Sequence, residues 1–241
     1  MIEVDLVTKH GKKALGMEQH GHHSPTWRQR LPEILLEIGI IVFAITLSIQ
    51  LHSWHEHSLE REKERKFLLG LRQDLGHDIE EMQGDSASYV IQQKAFRYFR
   101  ALTPQSLHAD SLRKYNWTLR NTTVLVPNAS RFEGLKSSGD LDIIDDEALL
   151  NGILDHYQEL IPGLVNEASA FSDYKGQTIG RYLDDHLAPN QQNIAAVMAV
   201  GPMQNYLRHG ETIPLILKSY HQVMQHSRQL IRQIDARLGA H

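Results

Sequence analysis

The side chains with most scope for chemistry are histidines. Fifteen stand among 241 residues, and two groups are dense: His20-Gly-His22-His23 near the N-terminus, and His52, His55 and His57 just after an apolar run. On a helix His52 and His55 are i,i+3 neighbours. With Glu56, or a second chain, they offer the ligand types of a divalent metal site. Solvated imidazoles are the commoner outcome of such spacing, and flexible His pairs also take up metal adventitiously. Beside Glu56 these imidazoles would charge between about pH 5 and 7, the basis of a pH-responsive element.

Other clusters have simpler readings. Asp140, Asp142, Asp145, Asp146 and Glu147 are dense in carboxylates but lack the alternating ligands and central Gly of a calcium loop. They read as helix-start acids, with Asp145 as the cap. Asp184-Asp185-His186 has acid and base but no nucleophile signature around it. The chain has no cysteine, no phosphate-cradling Gly loop, no G-x-S-x-G and no H-E-x-x-H. A net charge of −4 argues against a dedicated nucleic-acid binder. The expectation is a non-enzymatic protein without a cofactor.

Whatever these groups do, an apolar segment positions them. Leu31–Leu51 is long enough, at 1.5 Å per residue, to cover roughly 31 Å, one hydrocarbon core. From Ile38 to Leu51 it carries no charge. Glu33 and Glu37 lie in its first third, within reach of the interface, and Trp27 and Trp54 bracket it as interfacial anchors. A cleaved signal sequence would need a small-x-small site, which the following SIQLHSWHEH supplies poorly. A soluble core helix would show a polar face. A single transmembrane helix over 31–52 is the reading that remains, after an N-terminal tail of residues 1–30. Five bases precede it (Lys9, Lys12, Lys13, Arg28, Arg30) and four follow in 53–66 (Arg61, Lys63, Arg65, Lys66). That bias places the N-terminus in the cytoplasm and the C-terminal domain outside a bacterial inner membrane.

Helical phase adds a face. At about 100° per residue, Ala44, Ser48 and His55 fall within about 20° of Glu37. Ala44-x-x-x-Ser48 is a small-x-x-x-small pair, the spacing that lets helix backbones approach in lipid. Glu37, Ala44 and Ser48 are therefore the expected face of a homo-oligomer. A different reading makes Glu37 line an oligomeric ion or proton pathway, with His52 and His55 at its mouth.

Residues 53–241 read as an extramembrane antiparallel helical bundle, which makes the whole chain all-α. Leu68, Leu71, Leu75, Ile79 and Met82 recur every three or four residues, so the membrane helix is expected to continue into the bundle. Gly84-Asp85-Ser86 reads as a turn capped by Ser86, with a second helix to Pro104. Asn121–Pro127 reads as a short extended piece, and Ser130–Ser137 as a short helix stopped by Gly139. A long helix follows Asp145 to about Leu187, kinked at Pro162, and Ile213–Leu238 is the last.

Two stretches resemble a family of uncharacterised bacterial single-pass membrane proteins. Glu37, Gln50, Leu51, His52, Ser53 and Trp54, followed by the charged Glu56–Lys66, stand where that family has an acid, an apolar span, Gln, an aliphatic residue, two polar residues, Trp and a charged helix. Phe132-Glu-Gly-Leu135-Lys-Ser-Ser-Gly139-Asp-Leu141 is similar to its F-x-x-L-K-S-S-G-x-L segment. The chain departs from the family at His52 and His55, where Asn is usual, and at Ala44, where Gly is. The resemblance covers about a third of the chain and implies a membrane-anchored helical domain with no known activity. The expected role is a sensor, adaptor or scaffold that binds an unidentified protein partner; the alternatives are an ion-pathway subunit or a metal-handling protein.

Overall fold

The computed structural model describes residues 27–106 and 108–239. The His20, His22 and His23 group lies outside these residues, as do the side chains of Trp27 and Glu37. All regular structure among the described residues is helical. The chain forms two compact units, Met1–His57 and Ser58–His241.

The first unit contributes the N-terminal part of α1 (Trp27–Arg100). Its apolar side chains from Leu35 to Leu51, other than the small ones, are 44–68% exposed. The run is long and apolar enough to cross a membrane, and none of it is buried. A helix of a soluble core would spend part of this surface on packing; this one spends none. Thr46 returns its hydroxyl to the Val42 carbonyl at 2.8 Å, which satisfies that group within an apolar stretch.

In the second unit, α1 does not break at Gly84. It runs through to Arg100, so Asp85 and Ser86 are helix-interior residues rather than turn and cap. Gly84 sits on the exposed side, where its cost is only about 1 kcal/mol. Packing on the opposite side overrides that cost. The buried positions there follow a seven-residue repeat. Leu68, Leu75, Met82, Tyr89 and Phe96 form one row, and Glu64, Leu71, Asp78, Asp85, Gln92 and Phe99 the other. The second row is polar at four of its six positions.

After α1 come α2 (Ala109–Tyr115), an extended stretch, and α3 (Ser130–Ser138), which ends on Gly139 at φ 81°. The extended stretch runs back along α1. Thr123 donates to Asp85, the Val126 amide to Glu81 at 2.8 Å, the Asn128 amide to Asp78 at 2.9 Å, and Arg131 to Asp74 at 2.8 Å. Of these acids, four, three and four residues apart on one helix face, Glu81 and Asp78 accept backbone amides that a strand partner would otherwise pair, while Asp85 and Asp74 accept from side chains.

A helical run then spans 147–186 as α4 (Glu147–Asp155), α5 (Ile161–Tyr174) and α6 (Arg181–His186), joined by π-helical turns at His156–Leu160 and Lys175–Gly180. The first π turn stands just before Pro162, which lacks an N–H and crowds the preceding carbonyls, and the wider turn accommodates it. The cap of α4 is Asp146 rather than Asp145: its Oδ1 accepts from the Ala148 and Leu149 amides, both at 3.0 Å. Asp145 instead accepts from Arg237. Two short helices, α7 (Ile194–Ala199) and α8 (Gly201–Arg208), lead to α9 (Ile213–Gly239).

Pairings fix the directions of the long helices within this unit. Glu64 meets Arg237, Asp85 meets Tyr220 and Arg100 meets Glu211, so α9 runs antiparallel to α1. His156 meets His226 and Glu167 meets Ser219, so α9 is also antiparallel to the 147–186 run. That run and α1 are parallel, because the extended stretch has already returned the chain to the starting end.

Candidate functional site

The apolar interior is divided. One cluster gathers Leu68, Leu71, Leu75, Phe132, Leu149, Ile153 and Leu230; the other gathers Met82, Phe96, Phe99, Leu164, Phe171, Tyr220 and their neighbours. Polar residues stand at or beside the division: Asp78 on α1, His226–Ser227 on α9, and His156 in the first π turn, one residue before Tyr157, which still belongs to the first cluster. Asp78, His156 and Ser227 are fully buried.

Asp78 Oδ1 accepts from both the backbone and side-chain nitrogens of Asn128, at 2.9 and 2.7 Å. Its second oxygen has no partner, and neither do His156 Nε2 and the Tyr157 hydroxyl, all three buried. Burial pushes the Asp78 carboxyl above its usual range against the pull of those hydrogen bonds. Burial, then the Asp78 charge, raises the Tyr157 phenol. Burial drives the His156 imidazole down to about 3, assisted by His226.

The two imidazoles face each other with Nδ1 atoms 3.4 Å apart and rings within 16° of parallel. His156 is locked by an edge-on contact with Tyr157, which stacks on Phe132 at 4.8 Å. His226 is half-buried and borders a shallow groove of about 610 Å3 with Gln222, Gln225, Arg228, Gln229 and Arg232. Burial lowers the His226 imidazole, and the Asp155 charge opposes this.

A second polar centre lies one π turn further on. Lys175, 1% exposed, donates to Gln92 Oε1 at 2.6 Å, to the Thr118 carbonyl at 2.9 Å and to the Asn121 carbonyl. Three acceptors match the three protons of an ammonium. Burial lowers this amine to about 8.

The sequence-predicted residues fare differently. His52 Nε2 lies 3.2 Å from Glu56 Oε1, with both side chains exposed. His55 and Trp54 are also exposed. Among the described residues no three His, Asp or Glu side chains converge as a metal-ligand set, so His52 and Glu56 pair without His55 joining them. Ala44 and Ser48 are exposed on the span. Asp184 pairs with Arg120 at 2.6 Å, and His186 stacks on Tyr182, so that cluster is spent on surface contacts.

Asp78, His156, His226 and Lys175 escape a reading of motifs because their partners come from distant elements. The signal that finds them is positional: polar residues at heptad or i+4 positions where apolar ones are due. No family model, curated protein or solved structure matches the chain.

Proposed function

We propose that this is a single-pass membrane protein of the bacterial inner membrane, with residues 1–30 cytoplasmic and a helical domain outside. It acts by association and partner binding, as a sensor, adaptor or scaffold, rather than by catalysis. The observation that carries this reading is the exposed apolar surface from Leu35 to Leu51, long and apolar enough to cross a membrane. Lipid, and a second copy along Ala44 and Ser48, are the partners its chemistry fits.

The domain's own construction supports a role in recognition. Buried Glu64, Asp78, Asp85 and Lys175 each hold a specific partner from another element, which selects one register of the long helices. The resemblance to single-pass membrane proteins at Glu37–Lys66 points the same way.

Sedimentation of the full chain with membranes, followed by alkaline carbonate washing, tests the anchor. Retention of the full-length chain in the washed pellet is expected. Release into the wash, or a shortened soluble product lacking residues 1–51, would overturn it.

A further inference from the structure

We infer that the cleft between the C-terminal end of α1 and the start of α9 binds a small organic monoanion, with Arg97 holding its carboxylate and Phe96 and Leu207 its apolar body. The cleft has a volume of about 260 Å3 and lies within the second unit. Its floor is apolar and fixed: Phe96 and Leu207 are 2% and 0% exposed and belong to the packed interior. Gly210 makes the inner wall, since its missing Cβ lets the His209–Thr212 turn lie against the Phe96 ring. Exposed Pro214, in the first turn of α9, forms a further apolar edge.

Charge selects the occupant. The polar side of the cleft carries Gln93, Arg97, Arg100 and Glu211. Glu211 neutralises Arg100 in an ion pair. Arg97 has no acid partner among the described residues. One positive charge is left over, and it matches one negative charge in the ligand. The carbonyls that end α1 oppose an anion, but their pole amounts to about half an elementary charge, less than one guanidinium supplies. The planar guanidinium fork fits a carboxylate. Half-buried Gln93, four residues before Arg97, places an amide donor on the same side of the helix. A phosphate dianion carries more charge than the cleft balances and offers nothing apolar to Phe96 and Leu207. The volume falls below the roughly 300–1,000 Å3 of sites for drug-sized ligands, so the body is a single ring or a short chain. The inference rests on the sensor reading for its purpose, since such a ligand is what the domain would detect, but binding itself concerns the second unit alone.

The test uses the full chain in detergent, with benzoate as the probe and benzamide as its uncharged counterpart. Binding is measured by equilibrium dialysis at fixed ionic strength, and Tm is followed in parallel. The expected result is saturable binding of one benzoate per chain with a rise in Tm, and binding of benzamide at least tenfold weaker. Arg97→Gln, at an exposed position, should leave the ligand-free Tm unchanged and weaken benzoate at least tenfold. Gln93→Glu, which sets an acid beside Arg97, should weaken it similarly. No saturable binding at millimolar benzoate, benzamide bound as tightly as benzoate, or affinity untouched by both substitutions would each overturn the site. These outcomes do not depend on which side of the membrane the domain occupies, so failure of the site and failure of the membrane topology are read separately.

Discussion

Tyr220 on α9 donates to Asp85 Oδ2 on α1 at 2.9 Å, with both side chains buried. The Thr123 hydroxyl, from the extended stretch, donates to the other carboxylate oxygen, so the Asp85 side chain joins three elements. The phenol stands well above its usual pKa, because burial and then the Asp85 charge both disfavour losing its proton. It remains a donor at every pH the protein meets.

Tyr220→Phe should therefore destabilise the domain by about 1–3 kcal/mol, since it leaves a buried acceptor unpaired. In a double-mutant cycle with Asp85→Asn the two losses should couple rather than add. Thermal unfolding in detergent of the four variants checks this, and simple additivity would show that the contact contributes nothing.

Lys175 sets a pH dependence. Its amine falls from an ordinary 10.5 to about 8, so between those values the unfolded chain holds a proton that the folded chain has released. Stability relative to Lys175→Met should rise with pH at up to about 1.4 kcal/mol per unit from pH 8 to 10.5, and be flat below 8. The difference in unfolding free energy between the two proteins, followed from pH 7 to 10.5, is the measurement. A difference that falls over that interval would contradict the burial argument.

Two glycines should respond with opposite signs. A Cβ on Gly210 would sit 2.3 Å from the Phe96 ring, so Gly210→Ala should cost about 1–3 kcal/mol by overpacking. Gly84 has open space around it on a continuous helix, so Gly84→Ala should stabilise by about 0.5–1 kcal/mol. Melting temperatures of the two variants decide it; a loss on Gly84→Ala would mean the helix is interrupted there.

The association face of the span has its own test. Single cysteines at Ala44 and Ser48 should form disulfide-linked dimers in membranes under mild oxidation, and one at Gln50 on nearly the opposite side should not. Equal crosslinking at all three positions would leave no preferred face.

Much of this fold is legible from hydrophobic spacing, and the failures share a cause. The apolar run to Leu51, the stop of α3 at Gly139 and the start of α9 at Ile213 are local signals, and each appears where spacing and cap chemistry place it. Gly84-Asp85-Ser86 resembles a turn because those residues favour turns in isolation. What keeps them helical is Asp85's pairing with Thr123 and Tyr220, which no local window contains. Asp145 and Asp146 are equivalent as caps until Arg237 claims the first. The candidate site was the least legible part. His156 and His226 are 70 positions apart, and only the antiparallel packing of α9 on the 147–186 run brings them together.

The central claim is an anchored domain outside the membrane, and protease accessibility of a C-terminal tag tests it most directly. Intact cells are stripped of their outer barrier, treated with protease, and blotted beside a membrane pellet. The account predicts a full-length, membrane-bound protein whose tag is digested from outside. A tag protected until the inner membrane is broken would place the bundle in the cytoplasm and contradict the proposed topology.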